Sequence, residues 1–204
     1  MLLAESGASK IGGAEAFARI FLCDFSDGRA RIVAFTKCPV SVRNVEGIAV
    51  AQVGNRLLFI FAERAEGMPS TVLRWTELTL NPLKFGRFSD NELSLPWPKG
   101  DHARQVSAIE ADSTGQLYVA STLDPGNQGP FQSVIWGIGR VELGEDKEPQ
   151  VRLQPEPERL ATLDGFKVEG IAVREIPGVP MQFFVGTDDE NYGGTLRPIP
   201  LGQQ

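Results

Sequence analysis

The segment Val45-Glu-Gly-Ile-Ala-Val50 recurs 123 residues later as Val168-Glu-Gly-Ile-Ala-Val173. Between the two copies, Val106-Ser-Ala-Ile-Glu-Ala111 keeps the same apolar rhythm, at offsets of 61 and 62 residues. Self-similarity at a fixed period means one structural unit laid down several times, each unit burying its apolar surface against the next. Each copy leads into a second apolar run: Arg56-Leu-Leu-Phe-Ile-Phe-Ala62, Gln116-Leu-Tyr-Val-Ala120 and Met181-Gln-Phe-Phe-Val-Gly186. Third runs follow at Thr71–Leu78, Ser133–Arg140 and Gly194–Leu201. The amino-terminal part fits the rhythm, with Met1–Ser6 reading as a second run and Ala18–Phe25 as a third.

The runs are short, rich in β-branched and aromatic residues, and separated by turn signals such as Val53-Gly-Asn55 and Ser113-Thr-Gly115, which marks them as β-strands. A more polar fourth run follows at Arg31–Phe35, Leu93–Trp97 and Glu158–Leu163; Ala8–Ala18 is the one stretch that reads as a short helix. Four strands per repeat at a period near 60 is the sequence form of a β-propeller blade. The expected fold is therefore all-β, one propeller domain over 1–204 with blades at 1–37, 38–98, 99–163 and 164–204. Val-Glu-Gly-Ile-Ala-Val would form the innermost strand. Lettering strands A to D outward, the chain supplies B, C and D, then two full blades, then A, B and C, so its ends do not complete a shared blade. Three arrangements remain open: part of a larger propeller of about five to seven blades, a homodimer of two half-rings, or a self-closed or otherwise antiparallel β structure.

Composition narrows the partners. The chain is 42% hydrophobic and 23% charged, which suits a packed globular domain rather than a disordered one. A net charge of −6 argues against nucleic acid or an anionic membrane as partner. No apolar run approaches the roughly 20 residues of a membrane-spanning helix, and Met1–Ser6 lacks the basic start of a signal peptide, so the expected location is cytoplasmic. Cys23 and Cys38 are too few for a disulfide framework.

In such a repeat, the start of each innermost strand and the loops joining second to third runs share one face. That places Glu46 and Glu169 at the mouth of the central channel, joined by Glu63-Arg-Ala-Glu66, Asp124-Pro-Gly-Asn127, Asp188-Asp-Glu-Asn191 and Glu5. Carboxylates and amides together suit a hard, oxygen-ligated cation, with Ca²⁺ as the candidate and Glu46, Glu169, Asp188 and Asp189 as its ligands. Asp124, Asn127, Arg43 and His102, the single histidine, are candidate ligand-binding residues on the same side. Thr187–Gly194 is the densest acidic stretch, though it lacks the alternating carboxylates of an EF-hand loop. Arg43, Arg64, Arg104 and Arg197 could reach an anionic ligand if they point to the mouth. The competing reading is structural: an inner-strand Glu accepts backbone hydrogen bonds from a neighbouring blade, acidic loops are solvated turns, and these arginines are surface ion-pair partners. Trp75, Trp97 and Trp136 fall in strands and are expected to pack between blades rather than stack on a sugar.

The Glu-Gly-Ile-Ala elements at Glu46 and Glu169 resemble the Glu-Gly signature at the start of inner strands in phytase-like and esterase-like propeller domains. They are similar, more distantly, to the Glu-Gly-Pro of gluconolactonase-type propellers, whose Glu binds a metal. The resemblance implies a propeller with mouth-facing, metal-competent carboxylates at Glu46 and Glu169; here Ile replaces Pro, and Ser107 stands where the middle repeat would carry the Glu. Two functions follow as expectations. One is a binding module whose acidic mouth holds a divalent cation or polar ligand. The other is a Ca²⁺-dependent hydrolase of phosphoesters or lactones, with Glu46, Glu169 and Asp188 or Asp189 on the metal and water as nucleophile. Whether the chain is an enzyme stays open at this point.

Overall fold

The computed structural model describes residues 1–6, 19–42, 44–63 and 68–200. The expected helix at Ala8–Ala18 lies outside them. The fold is all-β, in four antiparallel sheets laid down in chain order. The first contains β1 (Leu2–Ala4), β2 (Arg19–Asp24) and β3 (Arg31–Lys37). The second contains β4 (Val45–Val53), β5 (Arg56–Glu63), β6 (Thr71–Leu80), β7 (Leu83–Phe85) and β8 (Ser89–Leu93). The third contains β9 (Ala103–Ala111), β10 (Gln116–Leu123), β11 (Gln132–Leu143) and β12 (Pro149–Asp164). The fourth contains β13 (Val168–Arg174), β14 (Gln182–Thr187) and β15 (Leu196–Ile199), with one 3₁₀ turn at Glu190–Tyr192. Among the described residues no helix is long and apolar enough to cross a membrane.

Local chemistry explains the hairpins. Between β4 and β5, Gly54 takes φ +60°, a value an L side chain disfavours and a tight hairpin turn demands. Between β9 and β10, Asp112 Oδ1 accepts the backbone N–H groups of Thr114 at 2.9 Å and Gln116 at 3.0 Å. Its Oδ2 accepts the Tyr118 hydroxyl at 2.8 Å, so one buried carboxylate folds the turn and anchors the next strand.

Alternation along the second strand of each sheet builds the core. In β5, Phe59 and Phe61 face back into a cluster with Ile20, Leu2 and Ala4 of the first sheet. Leu58, Ile60 and Ala62 face forward into a cluster with Val106, Ile109, Val119 and Trp136 of the third. In β10, Val119 faces back while Tyr118 and Ala120 face forward onto Val168, Phe183 and Val185 of the fourth. Trp75 and Trp136 sit in the second-to-third cluster and Trp97 packs against it, the inter-sheet role expected of them. Successive sheets are thus stacked face to face, and the first strands β1, β4, β9 and β13 run side by side.

Two sequence expectations need adjusting. Met1–Ser6 reads in sequence as a second strand, but among the described residues β1 pairs with β2 alone and lines the same cavity as the other first strands. Among the described residues, the first sheet therefore has an inner strand and no fourth, outer one. In the second sheet, the outer pairing is not at Leu93–Trp97; β7 and β8 pair with opposite ends of β6. Pro96 and Pro98 carry no N–H for a ladder, so pairing uses the more polar Ser89–Leu93 instead.

A close contact between two sheets falls within the repeated motif. A Cβ at Gly47 would lie 2.8 Å from the Ile109 backbone nitrogen and 2.9 Å from its Cγ2. Only glycine lets β4 approach β9 so closely. Gly47→Ala is expected to destabilise the fold by about 1–3 kcal/mol through overpacking, read as a lowered urea midpoint with an unchanged slope.

Candidate functional site

A cavity of about 320 Å³ lies where the first strands of all four sheets converge. Its walls are Leu2–Ala4, Val45–Ile48, Ala108–Glu110 and Glu169–Ile171. Three carboxylates line it, Glu46, Glu110 and Glu169, each from a different sheet.

Two of these glutamates reach the cavity by the same backbone device. The β4–β5 ladder pairs Val45 with Glu63 and Gly47 with Ala62, leaving Glu46 as the extra residue. The β13–β14 ladder pairs Val168 with Thr187 and Gly170 with Gly186, leaving Glu169 extra. A bulge takes its residue out of strand alternation and re-aims the side chain. Buried hydroxyls hold the second bulge in place. The Val168 N–H donates to Ser133 Oγ at 3.0 Å, and Ser107 Oγ donates to the Val168 carbonyl at 2.6 Å. Ser107, at the position of the missing middle Glu, thus ties the third sheet to the fourth.

Glu169 also belongs to a partly buried charge cluster. Arg104 Nη1 donates to Glu169 Oε1 at 2.8 Å, and Nη2 meets Asp124 Oδ2 at 2.5 Å. The Lys167 ammonium, on a side chain only 4% exposed, lies 3.5 Å from both Asp124 and Glu169 and is ion-paired with Glu190. Five charged groups in so little water can persist only because opposite signs alternate.

The ionisation of these groups follows from their surroundings. Burial pushes the Glu169 carboxyl above the ordinary range; Arg104 and Lys167 pull against this, and the neighbouring Glu46 charge adds to it. Burial likewise raises Glu110, offset in part by the Ala111 N–H on its Oε1. Burial works against Asp124 too, but the Gly126 N–H and the charges of Arg104 and Lys167 outweigh it, so Asp124 stays below its usual value. Lys167 is held above the lysine range because Glu190, Asp124 and Glu169 together overcome its desolvation.

The residues expected to form a mouth distribute as follows. Glu46 and Glu169 share the cavity, and Asp124 joins Glu169 through Arg104 and Lys167. Asp189 is buried beside that cluster, its Oδ1 accepting the Lys167 backbone N–H at 2.7 Å and its Oδ2 the Thr187 hydroxyl at 2.8 Å. Asp188 is exposed, with Oδ1 3.3 Å from the Glu190 N–H. His102 is exposed, and its backbone carbonyl accepts the Asp124 N–H at 3.0 Å, so its main chain positions the cluster. Asn127 is exposed in the loop after Asp124. Glu5 turns to Arg19, whose hydrogen bond lowers the Glu5 pKa, and Glu63 meets Arg74 at 3.3 Å. Arg197 lies over the Phe166 ring at 4.1 Å. Arg43, Arg64 and Glu66 lie outside the described residues. Among the described residues, no three His, Cys, Asp or Glu side chains form a ready-made metal shell.

Two site residues, Glu110 and Lys167, are not among those the sequence places at the mouth. Glu110 lies three residues beyond the motif position that Ser107 occupies, so the repeat did not flag it. Lys167 directly precedes the second Val-Glu-Gly copy, a signal that was present but carries no motif. Arg104, for which an anionic ligand at the mouth and ion pairing are the two readings, is ion-paired with Asp124 and Glu169. No family model, curated protein or solved structure matches the chain.

Lys167→Met is expected to cost about 3 kcal/mol at pH 7, because it leaves buried carboxylates uncompensated. Asp124, whose folded pKa is depressed, gives stability present above its unfolded value near 4 and lost as pH falls through the folded value. The variant's deficit in thermal melts should therefore shrink below about pH 4. Glu110 has the opposite sign: its raised folded pKa penalises the ionised form as pH rises above the unfolded value near 4.3. Glu110→Gln should melt higher than the parent at pH 8, and the difference should vanish near pH 4.

Proposed function

We propose that the protein is a binding module, its four sheets serving as consecutive blades of a β-propeller and its acidic central cavity holding a cation, either Ca²⁺ or a polar molecule bearing positive charge. The observation that carries this reading is the arrival of Glu46, Glu110 and Glu169 from three different sheets in one cavity. The blade assignment is supported by the four first strands gathered at that cavity and by the two-faced second strands that stack sheet upon sheet.

Desolvated carboxylates of like sign favour an incoming cation, because neutralising them relieves both burial and mutual repulsion. Their spread along the wall fits a ligand that bridges them, whether a diamine-like molecule or a Ca²⁺ ion that keeps part of its water shell. Asp189, expected among the ligands of the ion, already uses both carboxylate oxygens within the protein, so the cation is assigned to Glu46, Glu110 and Glu169. The ammonium of Lys167 also sits 3.5 Å from Glu169, supplying positive charge at that end.

Isothermal titration of the chain with CaCl₂ and with 1,4-diaminobutane tests the proposal. At least one cation should bind, and Glu46→Gln and Glu169→Gln should each weaken it about tenfold or more, equivalent to about 1.4 kcal/mol. Binding should also weaken from pH 8 to pH 5, as the raised carboxyls take up protons. Silence toward both cations at millimolar concentration would overturn it.

A further inference from the structure

Among the described residues, the charge cluster beside the cavity holds two cations, Arg104 and Lys167, and three carboxylates, Asp124, Glu169 and Glu190. They pair off with one carboxylate to spare. Arg104 Nη2 meets Asp124 Oδ2 at 2.5 Å, and the Lys167 ammonium is ion-paired with Glu190. Glu169 shares what remains, Arg104 Nη1 at 2.8 Å and the Lys167 ammonium at the longer distance of 3.5 Å. The Asp124 side chain is 6% exposed against 27% for Glu169, so loss of a counter-ion costs Asp124 more. Of the five residues, Glu169 is the one that also lines the cavity.

The Arg104 guanidinium is not fully satisfied where it lies. Among the described residues its Nε is buried without a hydrogen-bond partner, and an unmade buried donor offsets part of what the two Nη contacts contribute. Its backbone is fixed opposite Thr122 in the β9–β10 ladder, so rotation of the side chain is what moves the fork. Glu110, on the same cavity wall, differs: it accepts the Ala111 backbone N–H at 2.9 Å, a donor that a strand cannot withdraw. The partners of Glu169 are side chains with other carboxylates to hold. A cation arriving at Glu169 therefore costs the cluster no ion pair, because Arg104 keeps Asp124 and Lys167 keeps Glu190.

We propose that Arg104 competes with an incoming cation for Glu169 and yields by retreating onto Asp124, so that this arginine sets the cation affinity of the cavity. The proposal rests on the cation-binding reading above, and its test separates the two. Arg104→Met, titrated with CaCl₂ and with 1,4-diaminobutane by calorimetry, should bind about tenfold more tightly than the parent. Loss of a merely structural residue would weaken binding instead. Arg104→Lys keeps the charge and should return the affinity to within about threefold of the parent. Arg152→Met removes the same charge from an exposed pair with Glu142, away from the cavity wall. It should leave the affinity unchanged, which separates competition at Glu169 from the effect of net charge. A second readout uses the parent chain: the arginine Nε–H resonance that Arg104→Lys removes should shift as the cation is added. An Arg104→Met chain that binds no more tightly than a binding parent would overturn the proposal and leave the cavity reading standing. So would an Arg104 resonance that stays fixed while the cation binds. Silence of the parent and of Arg104→Met alike at millimolar cation would overturn both.

Discussion

The close approach of β4 to β9 governs the rest of the molecule. First strands must run near enough to share one cavity, yet each sheet must still present a full apolar face to its neighbour. Glycine at position 47 allows the approach, and the bulge beside it lifts Glu46 out of the crowded interface. Without the bulge, strand alternation would direct a neighbouring side chain to the cavity instead. One short motif thus solves a packing problem and a placement problem together, which gives a physical reason for its recurrence at Val168–Val173.

Electrostatics divide the site into two zones. Around Asp124 and Lys167, charges alternate and satisfy one another. Along the cavity wall, Glu46, Glu110 and Glu169 bring charge of one sign into a partly desolvated space. Glu169 belongs to both zones, bound by Arg104 on one side and repelled by Glu46 on the other. Its bulge is fastened by the Ser107 and Ser133 hydroxyls, so the packing of the third sheet on the fourth also sets where this carboxylate stands.

Much of the architecture was legible because strand formation here is a local matter. The runs at Val45, Arg56, Thr71, Gln116 and Ser133 carry β-branched and aromatic residues between turn-forming glycines, and each became a strand. The errors fell at the sheet margins. Met-Leu-Leu-Ala has no glycine or acidic marker to separate a first strand from a second, and only its pairing with β2 alone decided the matter. In the second sheet, Leu93–Trp97 reads as the fourth run, but Pro96 withdraws a donor that pairing needs, and Ser89–Leu93 pairs with β6 instead.

By itself the sequence determined the four-part rhythm, the β character, the acidic balance, and the identity of Glu46 and Glu169 as equivalent residues. The tertiary structure alone decided that Glu110 joins them and that Lys167 and Arg104 stand guard over Asp124. The division has a physical cause. Strand and turn preferences act over a few neighbouring residues and leave their mark in the chain. Bulge register, cross-sheet ion pairs and the distance between two backbones exist only once residues some 60 positions apart have packed together.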